Sequence, residues 1–343
     1  MSTNSYLVLD IGGTNLRCGW FDPVSGALTG ITRQAVENFH RMPGASVHDV
    51  QQAVLRQLDT LIAARLREAP GARPAVCISF AGPVTPDGVV TDAPTIWGAT
   101  GAPLALGALL EHRLDVPVHV INDVSAAAWR YASAIDEPFC LITVSSGVGN
   151  KVLYGGQILV NRYGYGGEIG HQRVDHAPDA LPCDCGGRGH LGALASGRGA
   201  VAVATRMAQA EPAAFAASLL GHLCEGRVEA ISAPHIAAAV QRADPFAERC
   251  VKHGIGYMAH SIGAMYAAIG VRRYLFMGGF AQALAPHYTR LVGEALIETG
   301  MFGMAAADIP AMLSMAGDDD DHGLAGAGRY LEALLAPSNN HGE

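Results

Sequence analysis

Short apolar runs that stop at glycine alternate along the chain with longer stretches whose apolar residues recur every three or four positions. Ser5–Asp10 is such a run, halted at Ile11-Gly12-Gly13-Thr14, and Leu16–Phe21 is a second. With Gly12 and Gly13 between them, the pair predicts a β-hairpin. From His48 to Arg67, the residues Val50, Val54, Leu55, Leu58, Leu61, Ile62 and Leu66 share one face of a 3.6-residue repeat. That spacing predicts a long amphipathic helix. Ala75–Phe80 predicts a strand, Leu104–Leu114 a helix, and Val116–Ile121 a strand that delivers Asn122 and Asp123 at its C-terminal end.

The cycle then restarts. Phe139–Val144 predicts a strand running into Ser145-Ser146-Gly147-Val148-Gly149, with Lys151–Val160 continuing a hairpin. Residues 200–240 predict helix with a break near 221–227, and Pro245–Ile269 predicts one long helix. Arg273–Met277 predicts a strand ending at Gly278-Gly279, and Leu324–Leu335 a closing helix. Strand, glycine turn, strand thus occurs twice, each time followed by further strands and helices. The echo implies two similar α/β halves with a ligand cleft between them.

Composition narrows the function. A chain of 343 residues, half of them hydrophobic and 16% charged, can bury a large core and is expected to form two domains. A net charge of −8, with lysine scarce and no basic run, argues against a nucleic-acid partner. The first residues carry no charged segment followed by a long apolar stretch, so no secretory signal is expected. No membrane span is expected either: the most apolar stretch, 256–271, is interrupted by His260 and Ser261. Seven cysteines, an odd number in a chain this long, fit a cytoplasmic protein in which a few thiols bind metal better than a disulfide scaffold.

The glycine turns carry chemistry. Asp10, Gly12, Gly13, Thr14 and Asn15 place a carboxylate at a strand end, then two glycines, then a hydroxyl. Glycine lets backbone N–H groups approach phosphate oxygens, Thr14 can donate another hydrogen bond, and Asp10 can hold Mg²⁺ through water. A simple hairpin turn is the structural alternative. Ser146, Gly147 and Gly149 repeat the plan in the second half, and two such turns are far more specific than one. Asp123, at a strand end between the two turns, is placed to take a proton from a hydroxyl as general base; as a structural residue it would be a helix N-cap. His171, Cys183, Cys185 and His190 supply four ligands within twenty residues, with glycines that let the loop fold. That set predicts a closed, structural Zn²⁺ site.

These motifs resemble the ROK family of sugar kinases and repressors, relatives of hexokinase and actin, over residues 5–335. Asp10–Arg17 is similar to its first phosphate motif, and Ser145–Gly149 to its second, where the family usually carries Gly-Thr-Gly. Gly278 and Gly279 resemble the adenosine-side glycines, and 319–327 the start of the family's closing helix. The resemblance implies two actin-like (ribonuclease H-like) α/β domains with an interdomain active-site cleft: an N-terminal domain of residues 1–122, to which a helix at about 323–336 returns, and a larger one of 123–322 carrying the zinc loop. It further implies transfer of the γ-phosphate of Mg-ATP to a primary hydroxyl, with Asp123 as base and Asn122, Glu168 and His171 on the sugar.

Three departures bear on the acceptor. His190 stands where the family has its third cysteine, an exchange that keeps a good zinc ligand. Gly192 replaces a glutamate that hydrogen-bonds the far side of the sugar ring, and Thr95 stands where an asparagine faces the sugar. Against the family's pattern these departures make glucose a less secure acceptor than an amino sugar or a carbocyclic C7 polyol, and the carbocycle fits slightly better because the altered positions face the anomeric end. A plain glucokinase and a non-catalytic sugar-binding regulator are the other readings. With nine residues ahead of Asp10, a DNA-reading helix-turn-helix is not expected. A homodimer is the default assembly.

Overall fold

The computed structural model describes residues 5–69, 74–98 and 103–336. Its strands are β1 (Tyr6–Ile11), β2 (Asn15–Phe21), β3 (Leu28–Ala35), β4 (Val76–Phe80), β5 (Val118–Asn122), β6 (Phe139–Val144), β7 (Val148–Tyr154), β8 (Gln157–Ile158), β9 (Arg273–Met277) and β10 (Leu313–Met315). The chain divides into two compact units. Unit 1 holds Met1–Asp136, Gly156–Gly166 and Asp319–Glu343; unit 2 holds Glu137–Gly155 and Gly167–Asp318.

In unit 1 the strands run in the order β3–β2–β1–β4–β5. β1, β2 and β3 pair antiparallel, whereas β1, β4 and β5 are parallel. Ile11 is level with Phe80, and Phe80 with Asn122, so the three parallel strands end together. Ligands bind at the carboxyl ends of parallel strands in sheets of this kind. β1 alternates between two cores. Leu7, Leu9 and Ile11 pack with helix α1 (Val47–Arg67) through Val50, Val54, Leu58 and Ile62. Val8 points the other way and clusters with Phe21, Cys77 and the closing helix (His322–Leu335) through Leu324, Ala327 and Leu331. Fully burying such a side chain contributes about 1.5–3 kcal/mol.

Local chemistry sets the helix ends. Ser46 caps α1 in a reciprocal capping box with Asp49, and Arg65 and Arg67 occupy its last turn, where the helix dipole favours cations. Helix α2 (Leu106–Leu114) precedes β5, and α3 (Asp123–Trp129) follows it directly. β3 was not foreseen: seven of its eight residues are exposed, so this edge strand carries no apolar signal.

Unit 2 repeats the plan. β10–β9–β6–β7 lie side by side in that order, with β6 and β7 an antiparallel hairpin and β6, β9 and β10 parallel. The arrangement matches β5–β4–β1–β2. The hairpin strand expected to reach Val160 ends at Tyr154, where Gly155 and Gly156 turn the chain with φ of 57° and 74°. The region 200–240, expected to break once, breaks repeatedly: Pro212 starts a new helix, Ser218 caps another, and Ser232 a third. Pro245–Ile269 is one helix, opened by the Asp244 cap and closed by Gly270 at φ 72°. Helices Gly279–Leu284 and His287–Thr299 and strand β10 were not anticipated. Among the described residues no helix is long and apolar enough to cross a membrane.

Candidate active site

Two carboxylates stand at the carboxyl edge of the unit 1 sheet. Asp10, near the end of β1, accepts a hydrogen bond from Ser79 Oγ (2.7 Å), its neighbour on β4. Burial pushes its carboxyl above the usual range, against the Ser79 hydrogen bond and the Arg17 charge that pull it down. Gly323, in the first turn of the closing helix, packs directly on it: a Cβ there would lie 2.1 Å from Asp10 Oδ1. The acidic run before that helix is clamped by two arginines. Arg17 donates to the Asp320 carbonyl and the Asp321 carboxylate, and Arg130 holds both oxygens of Asp319 at 2.5 and 2.7 Å.

Asp123 opens α3, yet the cap is Asn122, which corrects the structural role considered for Asp123. Asn122 Oδ1 accepts from the Ser125 N–H at 3.0 Å. Its amide nitrogen donates to Gly82 O (3.0 Å) and to Asp123 Oδ1 (2.8 Å). One side chain therefore ends the strand, starts the helix and fixes the carboxylate. Thr95 lies against the first glycine turn: a Cβ on Gly13 would meet the Thr95 carbonyl oxygen at 3.0 Å and its Cβ at 3.2 Å. Asn38 closes the turn from another side by donating to Gly13 O at 2.6 Å, while Thr14 and Asn15 are exposed.

In unit 2 the second turn and the late glycine pair meet. Ser145 N donates to Gly147 O (2.9 Å), and the Gly279 N–H donates to Ser145 Oγ at 3.2 Å. Gly278, at φ 96°, lies so close to Val144 O that an added Cβ would sit 2.7 Å away. Gly149 is on β7, paired with Thr143. A cavity of ≈ 700 Å³ opens beside this turn, lined by Ser145, Ser146, Val201, Ile231, Pro234 and Phe280 among others. Mostly apolar walls with a serine–glycine turn at one end suit a nucleoside and its phosphates.

The metal cluster is also in unit 2. Ligand atoms of His171, Cys183, Cys185 and His190 lie within 4.8 Å of one another, a spacing that fits one tetrahedral ion with bonds of about 2.0–2.3 Å. Cys183 N and Gly186 N close a tight turn through Gly187 O and Cys183 O, each at 2.9 Å, which presents both thiols on one side. Glu168 stands three residues before His171, with Lys151 Nζ 3.6 Å from its carboxylate. A cavity of ≈ 350 Å³ adjoins the loop, lined by Gly147, His171, Cys183, Gly192 and Arg198 among others. Arg198 donates to Ser146 O (2.6 Å) and to the Asp184 carboxylate, joining the glycine turn to the metal loop.

A family profile described as ROK matches residues 6–332. The chain belongs to the ROK family. Among its curated relatives, "C(7)-cyclitol 7-kinase" of Streptomyces hygroscopicus subsp. jinggangensis is 47% identical over 331 residues, covering 96% of this chain and 94% of that one. "2-epi-5-epi-valiolone 7-kinase" of an Actinoplanes species is 30% identical over 307 residues, 86% and 83% of the two chains. Among solved structures, a ROK family glucokinase from Streptomyces griseus in complex with glucose and AMPPNP superposes with a TM-score of 0.67 at 26% identity, covering 95% of this chain and 99% of that one. The expected fold class, paired actin-like α/β units, stands.

Sequence reasoning singled out Asp10, Asp123, both glycine turns and the four metal-type ligands. It missed Ser79, Arg130, Lys151 and Arg198. No local pattern marks these; each matters through a partner distant in sequence.

Proposed function

We propose that this ROK protein is an ATP-dependent kinase that transfers the γ-phosphate to the exocyclic primary hydroxyl of a C7 cyclitol. The observation that carries the choice of acceptor is the near full-length 47% identity to a C(7)-cyclitol 7-kinase. In the reaction the acceptor oxygen attacks the γ-phosphorus, the bond to the β,γ-bridging oxygen breaks, and ADP leaves. Asp123 takes the hydroxyl proton, held for that task by Asn122. Phosphoryl transfer asks little more of a protein than positioning and neutralised charge. Asp10 would hold the Mg²⁺ that accompanies ATP, and the ion would neutralise phosphate charge. The turn Ser145–Gly149 with Gly278 and Gly279 takes the nucleotide, and the first turn with Thr14 takes the transferred phosphate.

Glu168, His171 and Thr95 bind the ring. Gly192 supports a carbocyclic acceptor. It offers no carboxylate to the cavity that it borders. A charge-assisted hydrogen bond contributes about 1.5–3 kcal/mol, so its absence weakens glucose by roughly one to two powers of ten. His171, Cys183, Cys185 and His190 hold one structural Zn²⁺ that shapes the loop carrying Glu168. Measuring kcat/KM for a C7 cyclitol, glucose and an amino sugar with ATP tests the reading. The cyclitol should lead glucose by at least about tenfold; glucose in front would make the protein a glucokinase.

A further inference from the structure

Lys151 is one of two lysines in the sequence. It sits on β7 with its side chain only 4% exposed, while its partner Glu168 is half exposed. A buried ammonium is costly unless an opposite charge is near, so a lysine here needs a reason beyond packing. The surrounding contacts supply one. Asn150, the preceding residue, accepts from the Ile169 N–H through Oδ1 at 3.2 Å, and its own N–H donates to Gly167 O at 3.1 Å. Gly167, at φ 77°, is pressed against the same strand: a Cβ there would lie 1.9 Å from Asn150 O. β7 thus grips the backbone on both sides of Glu168, and Lys151 adds a cation beside the carboxylate.

We propose that Lys151 is a positioning residue for acceptor recognition: its buried ammonium engages one side of the Glu168 carboxylate, so that the other side presents a fixed acceptor to ring hydroxyls of a polyol. The inference rests on Glu168 being an acceptor contact, as read above. The Asn150 bonds fix only backbone. Without the cation, Glu168 keeps its place in the loop and loses its aim.

A double-mutant cycle on the full-length enzyme tests this, with steady-state kinetics on whichever acceptor it turns over best. Lys151→Met should raise the acceptor KM about tenfold to thirtyfold, with kcat and the ATP KM within about twofold, in keeping with loss of a charge-assisted contact. Glu168→Gln should do much the same. In the Glu168→Gln background, Lys151→Met should add less than about twofold, because the two act as one unit. Lys151→Arg, which keeps the charge, should stay within about threefold of wild type, and it decides the matter if Lys151→Met does not fold. Additive effects, a rise confined to the ATP KM, a lower Tm with unchanged acceptor KM, or an Arg variant as impaired as Glu168→Gln would each overturn the proposal. If a hexose proves the best acceptor, the cyclitol reading falls while the same cycle, run on that hexose, still decides the role of Lys151.

Discussion

The two glycine turns share a sequence plan and are packed in opposite ways. In unit 1 the turn is closed in: Gly13 faces Thr95 at contact distance, Asn38 holds its carbonyl, and Gly323 presses on Asp10 just behind it. In unit 2, Gly147 has no heavy atom within 4 Å of where a Cβ would stand, and its turn borders two cavities. In the first turn it is Gly13 that the protein's own packing crowds, whereas a Cβ on Gly12 would come no closer than 3.9 Å to a neighbour. In the second, Gly147 leaves space that a ligand can use. On the proposed function, the same residue type answers to packing at Gly13 and to nucleotide affinity at Gly147.

The largest expected effect lies in unit 1. Asp123→Asn should lower kcat by about 10²–10⁴-fold while leaving Tm and ATP affinity close to wild type. Retention of a tenth of the activity would remove Asp123 from the role of base. Next comes the metal loop of unit 2. Protein purified without added metal should carry about one zinc per chain by elemental analysis, and Cys183→Ser with Cys185→Ser should abolish it. Acceptor affinity and Tm should fall together, because one loop carries the ligands and Glu168. Zinc retained by that double variant would refute the assignment.

Two alanine substitutions separate a packed glycine from an open one. Gly323→Ala forces a Cβ onto the Asp10 carboxylate. Overpacking of this kind costs about 1–3 kcal/mol, so Tm should drop by several degrees and activity with it. Gly147→Ala should leave Tm unchanged and raise the ATP KM by about tenfold. If Gly147→Ala lowers Tm as much as Gly323→Ala does, or spares the ATP KM, the contrast between the turns is wrong.

Much of this was legible in the sequence because it is local. Runs such as Arg273–Met277 and Pro245–Ile269 carry their own period and stops, and the strands and helices match them residue for residue. The metal-type cluster was legible because ligand spacing within twenty residues restricts the geometry. What escaped is non-local or unmarked. β3 is polar at an edge, and no periodicity announces it. Asn122 looked like a ligand-facing amide, and only the fold shows its amide nitrogen engaged by Gly82 and Asp123. Lys151 and Arg198 read as ordinary charges until β7 and the metal loop bring Glu168 and Asp184 beside them.

If ATP phosphorylates the exocyclic hydroxyl of a C7 cyclitol, the position of the phosphate in the product reveals it. The enzyme is incubated with Mg-ATP and a C7 cyclitol, and the product is examined by phosphorus–proton correlation NMR. The product should show a single phosphorus coupled to the two hydroxymethyl protons. Coupling to a ring methine proton, or no cyclitol phosphate under conditions where glucose is phosphorylated, would contradict it.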